Sequence, residues 1–153
     1  MPNEEKILLD TNFLMIPGNF GVDIFTEIER ICHFKYKLYI LDKSLDELKK
    51  LPEKARKQKT TTKRAVNIAL KLVENMVQDG KLNIIPIKTN KKLISIYKDK
   101  YVDDIIKEVK NDYIIATTDK ELKKHLKRVI VLRQKSHLEL VNYWFVLKIK
   151  NNT

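Results

Sequence analysis

Lys6-Ile7-Leu8-Leu9-Asp10-Thr11-Asn12 is the stretch whose reading decides the fold. Three apolar residues in succession, bounded by charge, read as a short strand buried on both faces, as inside a parallel sheet. The run stops abruptly at three small polar side chains. In an open parallel sheet ligands gather outside the carboxyl ends of the strands, where Asp10 would stand. A carboxylate there costs desolvation energy unless a cation or a hydrogen-bond donor answers it. An Asx-type turn would account for Asp10 and Asn12 equally well. The question is therefore whether other acids converge on the same end of the sheet.

Working outward, strand and helix patterns alternate. After the turn-rich stretch 15–21, Val22, Phe25, Ile28, Ile31 and Cys32 recur at helical spacing. Lys37–Leu41 reads as a second strand. Ser44 then opens a helix with Leu45, Leu48 and Leu51 on its apolar side, ended by Pro52, and Ser44 with Glu47 has capping-box spacing. A long helix carries Val66, Ala69, Leu70, Val73 and Val77 and is closed by Asp79-Gly80. A third strand spans Lys81–Pro86, and Thr89-Asn90 caps a short helix. Another helix begins at Tyr101 with the doubled carboxylates Asp103 and Asp104. Tyr113–Thr117 is a fourth strand, followed by Thr118-Asp119 as Asp10 follows the first. A helix from Lys120 to Lys127 and a fifth strand, Val129–Arg133, complete the pattern. Such alternation predicts an α/β fold, one domain over residues 1–153 with a mainly parallel central sheet between two helical layers.

Composition narrows the function. The 153 residues carry 31 Lys and Arg against 20 Asp and Glu, a formal net charge of +11 that favours a polyanionic partner. The single cysteine excludes an internal disulfide and a cysteine-based zinc site. No apolar run is long enough to span a membrane, and the N-terminus does not read as a signal peptide, so a cytoplasmic protein is expected. His33, His125 and His137 lack ligand spacing. From Glu53 to Arg64 six basic residues, Lys54, Arg56, Lys57, Lys59, Lys63 and Arg64, meet one acid. That tract is either a phosphate-docking surface or a solvated helix face.

Two strand ends thus carry Asp10 and Asp119, and two helix starts carry Glu47 and the Asp103-Asp104 pair. In an α/β fold these face one rim. Clustered carboxylates repel one another, and a hard divalent cation with oxygen ligands, Mg²⁺ or Mn²⁺, resolves the conflict. Carboxylate-bound metal beside a basic surface is what a phosphodiester hydrolase requires.

At this point the chain resembles the PIN-domain ribonucleases. The matching pieces are Leu-Leu-Asp10-Thr-Asn-Phe-Leu-Met, Leu-Asp-Glu47-Leu, Val-Asp103-Asp104-Ile-Ile and Ile-Ile-Ala-Thr-Thr-Asp119-Lys-Glu-Leu-Lys. The closing Val-Ile-Val-Leu-Arg-Gln-Lys-Ser-His looks more like the rRNA-processing (Fcf/Utp-type) branch and its archaeal relatives than like typical VapC toxins. The resemblance implies Mg²⁺- or Mn²⁺-dependent endonucleolytic cleavage of single-stranded RNA, in rRNA maturation or RNA turnover. It makes Asp10, Glu47, Asp103 and Asp119 the catalytic and metal-site acids, with Asp104 an auxiliary ligand. Asn12 and Thr118 become supporting polar groups, and the basic tract an RNA-binding side.

Competing readings are a VapC-like toxin of a toxin–antitoxin pair, an RNA-binding scaffold without turnover, and a phospho-acceptor receiver-like domain. Retention of all four acids weighs against the scaffold, and the charge of +11 against the receiver. Beyond the resemblance lies an apolar tail at about 141–153. Its Tyr143–Ile149 run must be covered, within the domain or at a homodimer surface.

Overall fold

The opening run forms β1, Glu5–Leu9, and Ile7, Leu8 and Leu9 are wholly buried. In the computed structural model, which describes residues 4–55 and 58–142, this strand lies inside a six-stranded sheet. The other strands are β2, Tyr36–Leu41, β3, Leu82–Ile85, β4, Ile114–Ala116, β5, Arg128–Arg133, and β6, His137–Asn142. Their order is β3-β2-β1-β4-β5-β6, all parallel except β6, which runs antiparallel to β5. The helices are α1, Ile16–Phe20, α2, Ile24–Ile31, α3, Asp42–Lys54, α4, Lys59–Gln78, α5, Lys91–Tyr97, α6, Val102–Val109, and α7, Lys120–Lys123.

Side chains on a strand alternate between faces, so β1 feeds two cores. Ile7 and Leu9 join Phe13, Ile28, Leu48, Val66, Ala69 and Val73, which seats α1 to α4 on one face. Leu8 joins Val102, Ile105, Ile106 and Leu122, with Leu93 and Tyr97 packed alongside, which seats α5 to α7 on the other. The predicted three-layer α/β fold is the observed one. Cys32 is buried in the first core, and burial pushes its thiol up to about 11, the behaviour of a small apolar side chain.

Three local readings change. The helix expected to open at Ser44 begins at Asp42, directly after β2, with Leu41 at its cap and no side-chain cap bond. Ser44 is then fully buried inside the helix, its hydroxyl without a partner among the described residues, and the capping box does not form. Pro52 lies within α3 rather than ending it. The helix expected over Lys120–Lys127 stops at Lys123.

β6 is an addition. Its connection to β5 passes through Gln134 and Lys135, both with positive φ (52° and 55°), the geometry of a tight hairpin turn. Val141 and Asn142, the first residues of the expected apolar tail, belong to this strand. The Tyr143–Ile149 run, expected to be covered within the domain or at a homodimer surface, lies outside the described residues. On the outer side of β6 the Leu138 amide donates to Glu27 Oε1 at 3.0 Å, and Arg30 donates to the Leu138 carbonyl at 3.0 Å. The α2 ion pair thus covers part of the sheet edge. No described helix is long and apolar enough to cross a membrane.

α1 meets α4 through the smallest side chains available. A Cβ added at Gly18 would stand 2.5 Å from Ala65 Cα and 2.7 Å from its Cβ. Backbone cannot give way as a flexible side chain can, so Gly18→Ala forces the two helices apart. The expected cost is about 1–3 kcal/mol, read as a melting midpoint lower by roughly 2–12 °C in a circular dichroism melt. An unchanged midpoint would mean that α1 is not held against α4.

Candidate active site

The strand order reverses between β1 and β4, and the crevice at that switch point opens at their carboxyl ends. The two strands stay zipped to the rim, since the Asp10 amide donates to the Ala116 carbonyl at 2.9 Å. Asp10 is therefore placed by backbone and is only 2% exposed. Its carboxylate is held on both oxygens. The Thr11 amide donates to Oδ1 at 2.8 Å, and the Thr117 hydroxyl donates to Oδ2 at 2.7 Å. Thr117 is itself oriented, because its oxygen accepts from the Asp119 amide at 3.0 Å and leaves its proton for Asp10.

Glu47 arrives from α3, half-buried, and its Oε2 accepts from the Thr11 hydroxyl at 3.0 Å. With the capping box unformed, this carboxylate points to the crevice rather than to its own helix end. Asp103 stands in the first turn of α6. Asp119 caps α7, its Oδ1 accepting from the Glu121 and Leu122 amides at 2.9 and 3.1 Å.

The four acids feel one another. Burial pushes the Asp10 carboxyl up to about 6; the Thr117 and Thr11 hydrogen bonds oppose this, and the charges of Asp103 and Glu47 add to it. Glu47 is also raised, by burial first and then by Asp103, against the pull of Thr11, Lys54 and Lys50. Asp103 is raised by burial and by Asp119 and Asp104. Of the doubled aspartates, Asp103 is thus the one whose field reaches Asp10 and Glu47. As the side chains stand, no three Asp, Glu, His or Cys among the described residues are gathered tightly enough to hold one metal ion.

The polar groups that hold the acids are Thr11 and Thr117, each one residue before the expected Asn12 and Thr118. Asn12 and Thr118 instead line a groove of about 660 Å³ beside the crevice. Of the basic tract, Lys54 lines that groove. Lys59 and Lys63 border a separate depression with Lys49 and Glu53, and Arg64 another with Ile68 and Lys71. Arg56 and Lys57 lie outside the described residues.

One further side chain went unnoticed in the sequence. Lys43, one turn before Glu47 on α3, donates to the carbonyls of Tyr97, Lys98 and Lys100 at 2.8, 2.9 and 2.9 Å. It thereby straps down the segment that leads into α6 and Asp103. A lone lysine in a charged helix carries no sequence signal for this; only the crossing of α3 over that loop reveals it.

With this geometry in place, similarity to known proteins becomes informative. A family profile described as a PIN like domain matches residues 7–135. Ribonuclease VapC4 of Methanocaldococcus jannaschii is 34% identical over 139 residues, covering 88% of this chain and 95% of that protein. A solved structure described as the PIN domain endonuclease Utp24 covers 90% of this chain and 91% of its own, with a TM-score of 0.61 and 21% identity, a likeness of fold. By sequence over nearly its whole length, the chain belongs to the PIN-like domain family.

Proposed function

We propose that the protein is an endoribonuclease that cleaves single-stranded RNA with the help of Mg²⁺ or Mn²⁺. The observation that carries the reading is Asp10 at the switch point, its carboxyl pushed up by burial and further by the charges of Asp103 and Glu47, with no cation to balance it among the described residues. The donor set is all oxygen, so it fits a hard divalent ion in charge and in chemistry. Asp10, Glu47, Asp103 and Asp119 would hold the ion, with Asp104 auxiliary. When bound, it supplies a more acidic water and charge stabilisation at the scissile phosphate.

The chain's own residues do the rest. Thr117 and Thr11 fix the Asp10 carboxylate so that it cannot rotate away from the crevice. Thr11 also turns Glu47 inward. Asp119 uses one oxygen to cap α7 and keeps Oδ2 without a protein partner among the described residues.

Within the family, the VapC-like reading gains more support than the rRNA-processing one. The 34% identity to an archaeal ribonuclease extends over 95% of that protein, whereas the likeness to Utp24 is of fold alone. On the VapC-like reading the chain is the toxin of a pair, neutralised by a small protein encoded beside it.

The test is cleavage of a labelled single-stranded RNA in Mn²⁺, in Mg²⁺ and in EDTA, with and without the product of the adjacent small gene. Cleavage in metal, none in EDTA and inhibition by that product are expected. Activity that survives EDTA would sink the metal-dependent reading. Activity indifferent to the neighbour would return the assignment to RNA maturation or turnover.

A further inference from the structure

Resting on the reading of RNA cleavage, we propose that the groove beside the acids is the seat of the flanking strand. Lys54, Lys120, Lys123 and Lys135 take its phosphates, and Phe20 stacks one of its bases. The groove begins at Asn12 and Thr118, next in sequence to the Asp10-Thr11 and Thr117 constellation, so a strand cleaved at the acids would enter it directly. Its volume of about 660 Å³ falls in the range that accepts small organic groups. Its floor is apolar, with Met15, Ile16, Leu51 and Leu132.

The four lysines come from three separate places: the end of α3, the α7 turn and the β5–β6 hairpin. None pairs with a carboxylate among the described residues, whereas Lys37, Lys88, Lys100 and Lys124 do. Phe20 is 41% exposed, and Lys135 Nζ stands 5.9 Å from its ring centroid. An exposed ring among cations suits a nucleic acid base and its phosphates. An acidic protein segment would favour the planar fork of arginine over four point charges. Lys135 also occupies a left-handed backbone position, φ 55°, where glycine would sit without strain.

The experiment is fluorescence anisotropy of a labelled single-stranded RNA with the full chain in EDTA over a salt series, alongside cleavage in Mn²⁺. Lys120→Ala with Lys123→Ala should weaken binding about tenfold or more and lower the log–log salt slope by about 1.4, two phosphate contacts' worth. Lys59→Ala with Lys63→Ala should leave both unchanged. Lys135→Gly should lose affinity while its melting midpoint holds or rises, a combination that a structural role cannot produce. Phe20→Ala should weaken binding without altering the salt slope, and Phe20→Trp should restore it.

The proposal is overturned if the Lys120/Lys123 pair binds like wild type while the Lys59/Lys63 pair does not. It is also overturned if a polyglutamate of equal charge competes as well as RNA, which would mark a protein-docking face. Failure of the parent reading looks different: the wild type binds RNA with the predicted variant effects but cleaves none in metal.

Discussion

Asp10→Asn is expected to abolish RNA cleavage, with a loss of about 100-fold or more, while the protein stays folded and keeps its affinity for RNA. Disturbing even the outer partners of a metal ligand costs on the order of 10–100-fold, so removing the charge of a ligand sets that as a floor. Stability is the more discriminating readout. The carboxyl, 2% exposed, is raised from 3.8 to about 6, so ionising it in place opposes folding by about 3 kcal/mol, an order-of-magnitude figure. Asparagine removes that penalty. It also turns a donor toward Thr117, whose oxygen can accept it but whose proton loses its acceptor, a cost of about 1–3 kcal/mol. The two effects nearly cancel, so the melting midpoint at pH 7.5 should stay within a few degrees of wild type. Wild-type turnover in this variant would remove Asp10 from the reaction. A collapse in stability would show that the carboxylate is a structural anchor.

Divalent metal should stabilise the wild type, and more so at pH 8 than at pH 5.5. The folded-state pKa of Asp10 lies above its unfolded value. Between roughly 3.8 and 6 the folded chain therefore holds more protons than the unfolded one, and its stability falls as pH rises through that window. Above about 6 the penalty is complete, and Glu47 and Asp103 are shifted in the same direction. A bound cation offsets the penalty where it is largest, and protons compete with it below. At 100 times its dissociation constant a ligand contributes about 2.7 kcal/mol, or roughly 5–11 °C in melting midpoint. Thermal melts from pH 5 to 8 with Mn²⁺ or EDTA measure this directly. A gain that is flat with pH, or undiminished in Asp10→Asn, would place the metal elsewhere.

The buried strand and the major helices were legible because their apolar patterns are long or uninterrupted. Ile7-Leu8-Leu9 is bounded by charge on both sides, and α4 carries its stripe from Val66 to Val77. β6 was not legible, since Gln134 and Lys135 turn the hairpin without the usual asparagine or glycine. The start of α3 misled for a related reason. β2 passes into it at Leu41 with no capping side chain, so Ser44 and Glu47 imitate a helix opening that lies two residues earlier. At the site, the acids stood out because a carboxylate after an apolar run is conspicuous. Their threonines did not: Thr11 stands at the cap of a tight 3-10 turn and Thr117 directly after β4, and neither position is marked by the residue pattern. Of the groove lysines, Lys54 stood in the basic tract, but Lys120, Lys123 and Lys135 escaped for a different reason. A run of charge is visible along a line, whereas a ring of cations gathered from three elements exists only in space.

The strap from Lys43 has a mechanical consequence. One charged donor bridging three carbonyls makes α3 and the approach to α6 a single lever, with Glu47 and Asp103 at its working end. The positions of the two acids are thereby tied to one another through α3, rather than set by their own elements alone. Force applied to the outer face of α3 is transmitted to both carboxylates at once.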